Sequence, residues 1–266
     1  MNVCQRYGSD PVCVALVHGG PGAPGSLAPV ARRLSRTRGV LEPIQTATTV
    51  QGQVEELHCT LAEHSSRPVT LIGHSWGAWL SILLAAQYPA DVRRLILVGS
   101  GPLLADFVPL IEANRRRHLD AQEWVEYRSL CEQLSQVGRD IPASALARLG
   151  ALGSKSDSYD PVELAEPQGP GADQAEIYRG VWPAAARLRG SGALLAQAAR
   201  IACPVLAIHG EQDPHPAVGV QEPLAARLAD FRMLLLPRCG HEPWRERHAS
   251  EPFYLLLEQE LAAGSA

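Results

Sequence analysis

No stretch of the sequence comes near the eighteen or more consecutive apolar residues that a bilayer-spanning helix needs. Met1 is followed by polar residues rather than by a charged patch and an apolar run, so no secretory signal is expected. Excess positive charge is missing too. The 24 Lys and Arg are outnumbered by 28 Asp and Glu, a formal net charge of −4, which argues against non-specific nucleic-acid or anionic-membrane partners. One basic run, Arg115-Arg116-Arg117-His118, lies in a helix-like stretch and is expected to be a solvated helix face. The six cysteines (Cys4, Cys13, Cys59, Cys131, Cys203 and Cys239) lack a CxxC pair or zinc-ligand spacing. A reduced, cytoplasmic protein with free thiols, no metal and no cofactor is the expectation. Cys239, two residues before His241, reads as a small buried residue. Internal repeats and low-complexity tracts are absent.

What is present is a rhythm. Short β-branched runs alternate with longer helix-period segments, the pattern of a mostly parallel sheet flanked by helices, an α/β fold. Strands are expected at Pro11–Val17, Gly39–Ile44, Val69–Ile72, Arg94–Val98, Pro204–Ile208 and Arg232–Leu236. Helices are expected at Leu27–Arg38, Gln51–His64, Trp76–Tyr88, Gln221–Leu228 and Ala249–Leu261. Between residues 101 and 200 the alternation stops. Helical patterns cover Asp106–His118, Ala121–Val137 and Pro183–Ala199, and Gly153–Gly171 reads as loop. The domain reading is a core of residues 1–101 and 200–266, interrupted by an all-helical cap at 102–199.

Four short motifs sit at the ends of expected strands. Gly73-His74-Ser75-Trp76-Gly77 matches G-x-S-x-G between a strand and a helix, where a sharp turn would hold the Ser75 hydroxyl clear of the sheet. The glycines leave room where strand and helix cross, and the helix N-terminus brings partial positive charge to a developing oxyanion. His18-Gly19-Gly20-Pro21-Gly22 follows the first buried strand, and its spacing fits neither a dinucleotide fingerprint nor a P-loop. It reads as an oxyanion loop, with the Gly20 N–H and the Trp76 N–H as the two donors. Serine needs a base held in one tautomer by an acid. Asp213 in His209-Gly210-Glu211-Gln212-Asp213 and His241 in Cys239-Gly240-His241-Glu242 follow two later strands in the required order, Ser, Asp, His. Glu211 is the rival acid, and His74, His209 and His215 are the rival bases. Trp76, Trp79 and Trp244 are candidates to line an acyl pocket, although core packing explains Trp79 equally well. His18 and Trp244 are candidates for substrate contact.

With these motifs the sequence resembles the α/β-hydrolase superfamily over nearly its whole length. HGGPG at 18–22, with tryptophan after the nucleophile, looks like the branch containing proline iminopeptidases, whose cap acids hold a free amino group. His74 stands where that branch usually has glycine, and GHSxG is equally familiar among esterases. Little more than ten residues precede the first core strand, so the usual leading hairpin is shortened or absent. The cap acids Glu112, Glu123, Glu126, Glu132, Glu163, Glu166 and Glu176 match no recognition motif. The resemblance implies a serine hydrolase acting on a small-molecule or short-peptide substrate. Esters or amides are the first reading, and release of an N-terminal residue from a peptide is the second. A catalytically silent ligand-binding homologue is a third, and the fold also hosts lyases and acyl transferases.

Overall fold

The alternation becomes a seven-stranded sheet in the computed structural model, which describes residues 3–135, 142–162 and 172–263. The strands are β1 (Cys4–Tyr7), β2 (Val12–Val17), β3 (Gly39–Pro43), β4 (Val69–His74), β5 (Val92–Val98), β6 (Val205–Gly210) and β7 (Phe231–Leu236). Their spatial order is β1-β3-β2-β4-β5-β6-β7, with β1 antiparallel to β3 and every other pairing parallel. The interior strands read as continuous apolar runs because helices cover both of their faces. β1 had no such signal. Its sequence, CQRY, is polar and only partly buried, and it adds one short edge strand where a leading hairpin was expected to be shortened or absent.

Side chains alternate between two cores. Ala15 and Val17 of β2 face a core shared with α2 (Val50–His64) and α3 (Trp76–Gln87), whereas Val14 and Leu16 face α1 (Ala28–Leu34) and α10 (Ser250–Ala263). Thr49 caps α2 by accepting the Gly52 N–H at 3.0 Å. All but the last residue of α3 is buried, which its unbroken apolar sequence requires. This helix is the platform beneath the site.

Between β5 and β6 lie α4 (Val108–Arg116), α5 (Ala121–Ser135), α6 (Ala143–Asp157), α7 (Ala172–Gly190) and α8 (Ala193–Ala198), followed after β6 by α9 (Val218–Ala225). Among the described residues this insertion contains no strand, only one isolated bridge between Pro161 and Glu246. Two expectations need correction. The stretch beginning at Gly153 is helical as far as Asp157, because Gly150 and Gly153 face open space and the helix tolerates them at a propensity cost alone. α7 starts at Ala172, with Pro183 in its interior rather than at its first turn. Residues 158–162 are irregular as expected, and the remainder of the expected loop, 163–171 with Glu163 and Glu166, lies outside the described residues. Among those described, no helix is long and apolar enough to cross a membrane.

Candidate active site

Ser75 is the single residue between β4 and α3, and its backbone (φ 55°, ψ −118°) lies in a region that costs a non-glycine residue strain. The surroundings over-determine it. The Ser75 N–H donates to the Val98 carbonyl at the end of β5 (3.0 Å), and its carbonyl accepts the Ala78 N–H (3.0 Å). A Cβ on Gly73 would collide with the Gly77 carbonyl, and one on Gly77 would collide with the carbonyls of Val17 and His18. Strand and helix therefore cross at backbone contact, and only glycine fits there.

The glycine loop after β2 lies against this turn. A Cβ on Gly19 would stand 3.2 Å from the Ser75 Cβ. Two glutamines, which carry no motif and were missed in the sequence, fix the loop to α3. Gln45 donates its side-chain N–H to the His18 carbonyl (2.8 Å), and its side-chain oxygen accepts the Trp76 indole N–H (3.1 Å), which Gln53 also accepts (2.9 Å). Both expected oxyanion donors, at Gly20 and Trp76, thus belong to segments held by one buried amide network.

His18 is fully buried, its Nδ1 against the Gly19 carbonyl (3.0 Å) and its Nε2 accepting the Gln45 backbone N–H (3.3 Å). Burial lowers its pKa to about 4, so it is a neutral structural group. Trp244 is 2% exposed and packs on His74 and Phe253 under the sheet's second face. Neither of these two expected substrate contacts is open to solvent. Trp76 and Trp79 are equally buried, with their indole N–H groups engaged by the glutamines and by the Gly101 carbonyl.

Asp213 follows β6 and His241 follows β7, and the topology brings them together. His241 Nδ1 lies 2.8 Å from Asp213 Oδ2. The backbone of His241 is pinned from both sides, its N–H donating to the Asp157 carbonyl (2.7 Å) and its carbonyl facing His74 Nε2 (3.2 Å). Burial favours neutral His241, but the Asp213 carboxylate outweighs it and raises the imidazole pKa above 6.5. Burial likewise opposes ionised Asp213. The three histidines around it, His241, His209 and His215, outweigh that and hold the carboxyl well below its usual range.

The rival residues have other occupations. His209 Nε2 meets the His215 carbonyl (2.7 Å) and His74 supports the His241 backbone, while Glu211 is exposed. His215 faces the second oxygen of Asp213, through its backbone N–H (2.9 Å) and through Nδ1 (2.8 Å). Ligand atoms of Asp213, His215 and His241 come within 4.8 Å of one another, a spacing that could also hold a cation. Both Nδ1 atoms, however, lie at hydrogen-bond distance from carboxylate oxygens, the arrangement of a hydrogen-bonded His–Asp–His relay.

The helical insertion reaches this centre through Arg115. Arg116, Arg117 and His118 are exposed as expected, but Arg115 turns inward and corrects the reading of the whole run as a solvated face. Its guanidinium pairs with Asp157 through two bonds, 2.7 and 2.6 Å, and donates to Tyr127 Oη at 2.9 Å. The partner is 42 residues away in the chain, so no local pattern announces it. Buried Glu246 stitches the same segment down, accepting the N–H groups of Tyr159 (2.8 Å), Asp160 (2.7 Å) and Gly240 (3.0 Å).

A sheet with strained Ser75, a buried Asp–His pair and a glycine loop at one rim has the layout of the α/β-hydrolase class. The sequence model described as the alpha/beta hydrolase fold matches residues 35–244, and the chain belongs to that family. It is 25% identical over 199 residues to the pimeloyl-[acyl-carrier protein] methyl ester esterase of Nitrosomonas europaea, which covers 72% of this chain and 71% of that protein. It is 27% identical over 252 residues to the monoacylglycerol lipase of Mycolicibacterium smegmatis, covering 92% of this chain and 76% of the relative. The solved proline iminopeptidase of Mycobacterium smegmatis superposes with a TM-score of 0.62 at 19% identity, covering 98% of this chain and 94% of that one.

Proposed function

We propose that this chain is a serine hydrolase of small carboxylic esters, with Ser75 as nucleophile, His241 as general base and Asp213 as the acid that orients it. The observation that carries the reading is the buried 2.8 Å contact between His241 Nδ1 and Asp213 Oδ2, at the rim where Ser75 stands in a strained turn. With Nδ1–H committed to the carboxylate, Nε2 is the nitrogen that can accept a proton. His241 takes the Ser75 hydroxyl proton as the oxygen attacks the ester carbonyl. The N–H groups of Gly20 and Trp76 receive the oxyanion, each such donor contributing about 2.7–4 kcal/mol to transition-state stabilisation. Collapse expels the alcohol, protonated by His241, and leaves an acyl-Ser75. His241 then deprotonates water, which cleaves the acyl-enzyme, and the leaving Ser75 oxygen recovers its proton. No step calls for a metal or cofactor. The insertion acts as a cap that shapes the acyl site, in an enzyme that works in the cytoplasm on a small-molecule substrate.

The curated relatives named as an esterase and a lipase support the ester reading. An aminopeptidase draws less support from the insertion's acids. Glu123 is paired with Lys155, Glu126 with Arg148 and Glu132 with Arg128, while Glu112 and Glu176 are exposed. A panel of p-nitrophenyl acetate, p-nitrophenyl butyrate and prolyl-p-nitroanilide tests the assignment. Ester turnover should dominate, and Ser75→Ala should lower kcat by on the order of 10⁶. Proline release without ester turnover would move the assignment to the peptidase, and full turnover by Ser75→Ala would end it.

A further inference from the structure

The relay does not end at Asp213. His215 stands beyond it, with Nδ1 on Asp213 Oδ1 (2.8 Å) and its ring centroid 4.4 Å from that of His241. Its other nitrogen, Nε2, faces Arg115 Nη2 at 3.4 Å. A guanidinium can only donate, so Nε2 must present its lone pair and the imidazole proton must sit on Nδ1, aimed at the carboxylate. Arg115 is held in place by its two bonds to Asp157, whose own carbonyl accepts the His241 N–H. Asn114, beside it on α4, donates to the Pro214 carbonyl at 3.1 Å and fixes the loop that carries His215.

We propose that Arg115 is a positioning residue for His241 that acts through His215, holding that second imidazole neutral and turned so that it donates to Asp213. The proposal rests on the serine-hydrolase reading and adds a residue of the insertion to its hydrogen-bonded relay. The charged and titratable groups around His215 are Asp213 on its own loop, His241 after β7, Arg115 on α4, Asp157 at the end of α6 and His209 at the end of β6. A proton on His215 Nε2 would put two cationic groups face to face. It would also set an imidazolium against His241 and on the same carboxylate, cancelling the charge that makes His241 a good base. Burial is the largest influence against that proton, His241 and then the Arg115 charge add to it, and the Asp213 carboxylate favours it, with the net effect of lowering the His215 pKa.

The test reads Ser75 phosphonylation by a fluorophosphonate probe against pH, together with imidazole ¹H–¹⁵N NMR of uniformly labelled protein. In the wild type, His215 should remain the neutral Nδ1–H form throughout the pH range in which His241 titrates. In Arg115→Gln, His215 should become protonatable, and the acid limb of the labelling rate should steepen and move up by about one pH unit, a roughly tenfold loss below its midpoint. Asparagine at 215 can keep a donor on Asp213 but cannot titrate. Arg115→Gln combined with His215→Asn should therefore return the limb to its wild-type midpoint. A limb that does not move in Arg115→Gln, or one that His215→Asn fails to restore, would mark Arg115 as a docking residue alone and overturn the proposal. Should Arg115→Gln not fold, titration of His215 alongside His241 in the wild type overturns it equally. Labelling at a residue other than Ser75 would fail the serine-hydrolase reading instead, a result that the NMR arm does not share.

Discussion

Asp213→Asn removes one charge from the centre of the site and leaves its shape. The two oxygens of Asp213 serve different sides, Oδ2 facing His241 Nδ1 and Oδ1 receiving two N–H groups of His215. An amide has only one acceptor oxygen. If its NH₂ faces His241, the imidazole must move its proton to Nε2 and can no longer accept one from Ser75. If the NH₂ faces His215 instead, two donors there are left against a donor, and His241 keeps its tautomer but loses the negative charge. A charge pair at about 4 Å in an effective dielectric of about 20 is worth about 4 kcal/mol, or roughly a thousandfold in rate. The tautomer fault adds to that, so kcat for p-nitrophenyl ester turnover should fall by about 10³–10⁴ at neutral pH. Urea unfolding followed by circular dichroism would establish that the variant is folded. A folded variant that keeps kcat within roughly tenfold of wild type would refute the reasoning.

Three other outcomes follow from the same geometry. Because Asp213 raises the His241 pKa and the proposed mechanism needs neutral His241, kcat/KM should fall as pH drops through a midpoint above the ordinary imidazole value, which a pH–rate profile measures. Gly77→Ala forces a methyl group against the Val17 and His18 carbonyls and should destabilise the fold by about 2–3 kcal/mol, read from the urea midpoint. Glu246→Gln leaves at least one of the N–H groups of Tyr159, Asp160 and Gly240 facing a donor. It should cost about 1–3 kcal/mol in thermal unfolding and speed proteolysis near Asp160.

The core strands and the positions of Ser75, Asp213 and His241 were legible because parallel strands are continuous apolar runs and their carboxyl ends form one rim. A residue just past such a run is therefore placed by the pattern itself. β1 was not legible, since a short polar edge strand has no periodicity to betray it. α6 hid behind Gly150, Gly153 and two serines, whose local preferences were overridden by the helix they belong to. His18 and Trp244 adjoin the motifs, and only the packing shows how deeply both side chains are buried. The roles of Arg115, read as part of a solvated face, and of His215, weighed only as a rival base, escaped for the opposite reason. Arg115 pairs with Asp157, 42 residues away on another element, and pairing at that range leaves no trace in local sequence; His215 faces Asp213 only two residues off, but its contact with Arg115 crosses elements in the same way.

Whether Ser75 is a nucleophile activated by His241 is decided by peptide mass spectrometry of the folded protein after brief fluorophosphonate exposure. A phosphonyl adduct is expected on the peptide carrying Ser75, absent in Ser75→Ala and slowed by orders of magnitude in His241→Ala. An unlabelled Ser75 in active protein, or undiminished labelling without the imidazole, would contradict that role.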